Sequence, residues 1–151
     1  MQAIKTIYNG VKYRSKLEAR WSVFFDLYGL KYEYEPKTFR LNNGKLYCPD
    51  FILLDFDCYV EVKPLRPLTE IELSKLHNFE LKIVLIKGAP LDCTWQLLHD
   101  KIFAPFMPCY PHFDRDKYWR WWYAEDAEDY PRGGKYERCA EIARYYDFFK
   151  F

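Results

Sequence analysis

The order of turn, strand and helix signals along the 151 residues predicts an α/β fold, a central mixed β-sheet flanked by α-helices. Three observations predict it. Asn9-Gly10 and Asn42-Asn43-Gly44 sit between alternating residues as hairpin turns. Two amphipathic segments, opening at Ser15 and Thr69, carry helix-start signals. "LKIVLIKG", residues 81–88, is the near-continuous apolar run of a strand buried on both faces. Half of the residues are apolar, 21% aromatic and 30% charged, so the chain reads as one folded domain over 1–151 and not as a disordered segment.

"AIKTIYNGVKYRS" alternates about Asn9-Gly10, which predicts two short opening strands. Ser15 then caps a helix whose apolar stripe is Leu17, Trp21, Phe24 and Tyr28, ending before Gly29. "LKYEYEP" reads as a strand stopped by Pro36, and "TFRL" and "KLYCPDFILL" as the arms of the hairpin at Asn42-Asn43-Gly44. "DCYVEVK" returns after a two-residue loop at Asp55-Phe56. Thr69 with Glu72 has capping-box spacing and opens a helix to about Asn78. "WQLLHDKIF" suits a helix or a strand, and "APFMPCYPHF", with three prolines, reads as a loop. "KYWRWWYAE" reads as a strand, and "KYERCAEIARYYDFF" as a last helix with Tyr136, Ala140, Ala143 and Phe148 along one stripe.

The hairpin "YCPDFILLDFDCYVEVKP" carries the chemistry. With a loop at Asp55-Phe56, Asp50 falls opposite Glu61, and period two puts Lys63 on the same side of the sheet. Phe51, Leu53, Val60 and Val62 then form an apolar layer on the other side. Facing carboxylates repel, and a hard divalent cation such as Mg²⁺ compensates: Asp50, Glu61 and the Val62 backbone carbonyl form an oxygen half-shell. Lys63 stands where an ammonium orients water or neutralises charge on a phosphate. The plain alternative is a solvated polar strand face.

Pro49-Asp50 and Glu61-Val62-Lys63 resemble the signature of the PD-(D/E)XK, or restriction-endonuclease-like, nuclease superfamily. "YRSKLEARWSVFFDLYGLKYEYEP" is similar to the leading helix and strand of small phage and bacterial members, and of the endonuclease subunit of heteromeric transposases. In these a Ser-x-x-Glu helix precedes a Tyr-x-x-Pro-Asp-Phe strand; Ser15, Glu18, Pro49, Asp50 and Phe51 match it, and Tyr47 stands one residue nearer the proline than the pattern has it. The resemblance covers about residues 6–90, with "IVLIKGAP" matching the following strand and a weak likeness in the last helix; residues 91–151 form an aromatic-rich extension. It implies a restriction-endonuclease-like core and Mg²⁺-dependent DNA hydrolysis, with Mn²⁺ as substitute. It further implies Asp50 and Glu61 as metal ligands, Lys63 beside the attacking water and Glu18 as an accessory acid. Glu18 is equally placed to close a capping box on Ser15.

Lys plus Arg number 23 against 22 Asp plus Glu, so no global positive field advertises nucleic acid, and DNA contact must come from a local patch. Interleaved Lys117, Tyr118, Trp119, Arg120, Trp121, Trp122 and Tyr123 suit base stacking or an ordinary core strand. Cys93, His99, Cys109 and His112 have no regular zinc-finger spacing. Lys75 and His77 suit either contact of the second helix with a DNA backbone or its solvated side and stay unassigned, while Glu33 and Glu35 read as an exposed strand edge, with approach of Glu35 to the metal site as the alternative. The expected setting is cytoplasmic, with free thiols, no apolar signal segment and no membrane span. A homodimer or a protein partner is compatible with this reading, and the alternative function is a catalytically silent nuclease-fold module that binds DNA or protein.

Overall fold

The computed structural model describes residues 3–98, 107–113, 119–123 and 135–148. Strands β1 (Thr6–Tyr8) and β2 (Val11–Tyr13) form the opening hairpin. Asn9 and Gly10 both take positive φ, 50° and 77°, as the tight two-residue turn requires. Helix α1 (Lys16–Tyr28) is capped by the Ser15 side chain and ends at Gly29 in the left-handed region. Its buried surface is broader than the predicted stripe, adding Ala19, Ser22, Val23 and Phe25 to Trp21 and Phe24.

β3 (Tyr32–Tyr34) is followed by a separate two-stranded unit, β4 (Phe39–Arg40) and β5 (Leu46–Tyr47). The segment "KLYCPDFILL" is therefore not one strand: it breaks at 48–50, where Pro49 has no N–H to give a ladder, and resumes as β6 (Phe51–Leu53). β7 (Cys58–Lys63) pairs with β6 in the predicted register, Phe51 opposite Val60 and Leu53 opposite Cys58. The connection is longer than two residues. Leu54–Phe56 make a single 3₁₀ turn closed by Asp57 at φ 48°, which keeps the register while turning the chain in four residues.

Helix α2 (Glu70–His77) has the predicted capping box between Thr69 and Glu72, and carries the chain from β7 to β8 (Ile83–Ala89), which lies parallel to β7. β9 (Asp92–Leu98) settles the ambiguous "WQLLHDKIF" as strand up to residue 98. β10 (Met107–Phe113) corrects the expected prolyl loop. Each proline withholds one donor, but its fixed φ suits extended backbone and its carbonyl still accepts, so the segment pairs with β9 and with β11 (Trp119–Tyr123). Helix α3 (Lys135–Arg144) closes the described chain, with Cys139, Ala140 and Ala143 buried.

The main sheet runs β11-β10-β9-β8-β7-β6-β3, antiparallel except for the β7–β8 pair. The molecule is thus mixed α/β about a central mixed sheet. On one face α1 and α3 cover Phe51, Leu53, Val60, Val62, Val84 and Ile86, the apolar layer foreseen for the hairpin. On the other face Leu76 and Phe79, at the end of α2, pack with Leu41, Tyr47, Ile83 and Leu85. Fully burying a side chain such as Trp21 or Phe51 contributes roughly 1.5–3 kcal/mol, so these layers hold the hairpin rigidly between them. At the end of β8 the Trp21 indole N–H donates to the Gly88 carbonyl, 2.9 Å. Among the described residues no helix is long and apolar enough to cross a membrane.

Candidate active site

Three chain segments meet beside the β6–β7 pair: the first turn of α1, the bend before β6, and the end of β7. The break at Pro49 places Asp50 just ahead of β6. Its carboxylate accepts the Val62 N–H at 2.8 Å, standing in for the ladder carbonyl that a longer β6 would have supplied. Its own carbonyl accepts the Glu35 N–H, 2.7 Å. Asp50 is thus fixed to β7 by its side chain and to the end of β3 by its backbone. A residue's N–H and C=O leave an extended strand on the same edge, so the Val62 carbonyl is directed to the edge where Asp50 lies.

One step along the same register Asp50 and Glu61 lie across from each other. Glu61 is only 6% exposed, and its Oε1 is buried without a hydrogen-bond partner. The Tyr47 hydroxyl, buried close by, also lacks one: the two groups are near but outside hydrogen-bonding geometry. Lys63 Nζ stands 3.7 Å from Glu61 Oε2 and 3.2 Å from Glu72 Oε2. Glu18, at the third position of α1, donates its backbone N–H to Ser15 Oγ but turns its carboxylate to the Tyr34 hydroxyl. The Tyr34 hydroxyl in turn accepts the Arg14 N–H, 3.0 Å, and Arg14 pairs with Glu35 at 2.8 Å. Glu35 is therefore half-buried and engaged, and its charge reaches Glu18, which fits the alternative of an approach to the site and not the exposed strand edge, whereas Glu33 is exposed.

The electrostatics follow from enclosure. Burial raises the proton affinity of Asp50 well above the usual carboxylate range, and the charges of Glu61 and then Glu18 add to it against the Val62 hydrogen bond. Burial likewise lifts Glu61, opposed by the Lys63 ammonium, and lifts Glu18, opposed by the bonds from Tyr34 and Ser15. Burial works to lower Lys63, but Glu61, Asp50 and Glu72 outweigh it and hold the ammonium above its ordinary value. Three acids that resist ionisation lie beside one cation that keeps its proton.

Among the described residues no group of three or more His, Cys, Asp or Glu side chains is arranged as a ready metal cage. The donors offered are instead two carboxylates and a backbone carbonyl, all hard oxygens, with one carboxylate oxygen orphaned in a buried position. That set fits a small hard divalent cation which keeps part of its water, and suits a softer metal poorly.

The structure brings together Glu18, Asp50, Glu61 and Lys63, the four residues singled out from the sequence. Three more belong to the cluster. In the sequence Tyr34 is one of the alternating residues of "YEYEP", Tyr47 carries no signal beyond its place before Pro49-Asp50, and the capping-box spacing of Glu72 points only to its helix; in the fold they meet Glu18, Glu61 and Lys63 respectively. Of the residues weighed for zinc, His99 lies outside the described residues, and Cys109 and His112 are placed only as backbone on β10. Cys93 is half-buried on β9, where burial pushes its thiol up to about 12, the opposite of what a thiolate ligand needs. Lys75 and His77 are on α2, with His77 exposed as expected. No protein-family model and no curated protein matches this chain.

Proposed function

We propose that the protein is a restriction-endonuclease-like phosphodiesterase of the PD-(D/E)XK type that hydrolyses DNA with Mg²⁺, or Mn²⁺ in its place. The observation that carries this reading is the pair of half-buried Asp50 and buried Glu61, in which the charge of Glu61 adds to burial in raising the proton affinity of Asp50, with a buried, unpartnered oxygen on Glu61. Such a pair costs stability unless a cation compensates it, so its presence in an otherwise apolar strand pair points to a site and not to a scaffold. The chain order supports the same reading: a helix with Glu18, an antiparallel pair holding Asp50 and Glu61-Val62-Lys63, then a helix crossover to a parallel strand. DNA as substrate rests on the resemblance of these motifs.

Asp50, Glu61 and the Val62 carbonyl are the groups that would hold the cation. Bound there, it would supply Lewis-acid polarisation of a phosphoryl oxygen and a more acidic water. The protein's own groups do the remainder. Lys63, kept protonated by three carboxylates, offers positive charge to a phosphate oxygen as charge builds there in the transition state. Glu18, whose proton affinity is raised by burial, is suited to take a proton from water while Tyr34 holds its carboxylate in place. The apolar layer beneath β6 and β7 keeps the hairpin from yielding to carboxylate repulsion.

The test is incubation of the purified protein with supercoiled, linear and single-stranded DNA in Mg²⁺, Mn²⁺ or EDTA. Cleavage is expected only with the cation, lost in Asp50→Asn and Glu61→Gln, and lowered by about 10²–10⁴-fold in Lys63→Ala. Undiminished cutting in EDTA would overturn the reading.

A further inference from the structure

Glu72 stands outside the motif, on α2, yet its carboxylate has more partners than any acid of the site. Oε1 accepts the Thr69 N–H at 2.9 Å, which closes the capping box, and a guanidinium N–H of Arg66 at 2.7 Å. Oε2 accepts the second arm of Arg66 at 2.9 Å and lies 3.2 Å from Lys63 Nζ. The carboxylate is thus immobilised from two directions, by the helix start and by a forked pair with Arg66, before Lys63 meets it. Lys63 is closer to Glu72 than to Glu61, 3.2 against 3.7 Å. The lysine has a long flexible stem, and on β7 itself Glu61 attracts the ammonium but stands farther from it than Glu72 does.

We infer that Glu72 is the positioning residue for Lys63, anchoring the ammonium between α2 and the carboxylate pair so that the helix cap and the candidate catalytic lysine form one unit. The inference rests on the nuclease reading for its catalytic consequence but not for the pairing itself. Glu72 acts through Lys63, the residue that joins it to the carboxylate pair. Arg66, 43% exposed, competes with Lys63 for the same Oε2, so the pair also sets how much of the Glu72 charge the lysine receives. Arg66 holds Glu72 well below the usual carboxylate range, helped by Thr69 and Lys63 against partial burial, so the anchor stays ionised at neutral pH.

Two substitutions with opposite expected signs test it. Glutamine fills the third position of a capping box nearly as well as glutamate, so Glu72→Gln keeps the cap of α2 while removing the charge. Arg66→Gln leaves Glu72 to Lys63 and the Thr69 N–H. The probe is an N-hydroxysuccinimide acetate, which acylates only the neutral amine, with the rate at Lys63 read by peptide mass spectrometry across the alkaline range. Lys63 in Glu72→Gln is expected to react about two- to fivefold faster than in wild type, the range that loss of a partly exposed ion pair produces. In Arg66→Gln it should react more slowly than in wild type. General loosening of the site would speed both variants, and that result, or an unchanged rate in Glu72→Gln, overturns the inference. In cleavage assays Glu72→Gln should lower kcat with KM little changed and move the alkaline limb of the pH profile to lower pH. Faster acylation with kcat and the limb unmoved would overturn the positioning role. If wild-type protein cut no DNA, the nuclease reading would fall while the acylation rates still decided whether Glu72 holds Lys63.

Discussion

Asp50→Asn should make the protein more stable in the absence of divalent cation and less stable in its presence. The Asn side-chain oxygen can keep the 2.8 Å bond from the Val62 N–H, so the bend before β6 is preserved. The like charge beside Glu61 is lost, and the new amide N–H is placed to serve the orphaned Glu61 Oε1. An unsatisfied buried polar group costs on the order of 1–3 kcal/mol, so relief within that range is expected, or a rise of about 2–4 °C in melting temperature per kcal/mol for a domain of this size. The sign of the pH dependence follows from the raised proton affinities of Asp50, Glu61 and Glu18 in the fold. Their stabilising contribution is complete below the unfolded carboxylate range, about pH 4, and is lost as pH rises through the higher folded values. The variant's advantage over wild type should therefore be small near about pH 4.5 and largest near about pH 8. Saturating Mg²⁺ reverses the order, because a ligand at a hundredfold excess over Kd adds about 2.7 kcal/mol to wild type and little to a variant lacking one ligand. Circular-dichroism melts in EDTA and in Mg²⁺ at both pH values measure this. A variant less stable than wild type in EDTA near pH 8, or equal Mg²⁺ shifts in both proteins, would refute the electrostatic account of the site.

Glu18→Gln should retain the Ser15 cap, which uses the residue's backbone N–H, and should melt within about 0.5 kcal/mol of wild type while cleaving DNA far more slowly; normal cleavage would assign Glu18 a structural part only. Gly88→Ala should be costly out of proportion to one methyl group. A Cβ there would lie 2.2 Å from the Asp92 carbonyl oxygen and 2.9 Å from Leu65 Cγ, at φ +102°, and would push the strand away from Trp21. A loss of roughly 1–3 kcal/mol or more is expected by urea titration, and a loss below about 0.5 kcal/mol would contradict the packing described. Tyr47→Phe removes a buried hydroxyl without a hydrogen bond and should leave the metal-free protein as stable or slightly more so, read from the same titration.

The local features were legible in the sequence because they depend on neighbours a few residues away. Asn9-Gly10 needs only its own backbone to form the turn, and Ser15 and Thr69 only the following helical turn to act as caps. The β6–β7 register was legible too, since a one-residue slip would have turned Phe51, Leu53, Val60 and Val62 out of the core, whatever the length of the loop. Tertiary structure alone decided what distant groups do to one another. Ser15-x-x-Glu18 and Thr69-x-x-Glu72 are the same motif, yet Glu72 closes its box and reaches Lys63, whereas Glu18 turns to Tyr34. A glutamate at that position has several acceptable rotamers, and the donor presented by the adjoining strand selects among them. The prolines of β10 misled for a related reason: a proline's local cost is fixed, but partners on both sides of a strand offset it, and those partners are not written in the strand itself. Likewise, adjacency of Asp50 and Glu61 follows from register, but the enclosure that raises their proton affinity is a property of the packed layers around them, which no short stretch of sequence contains.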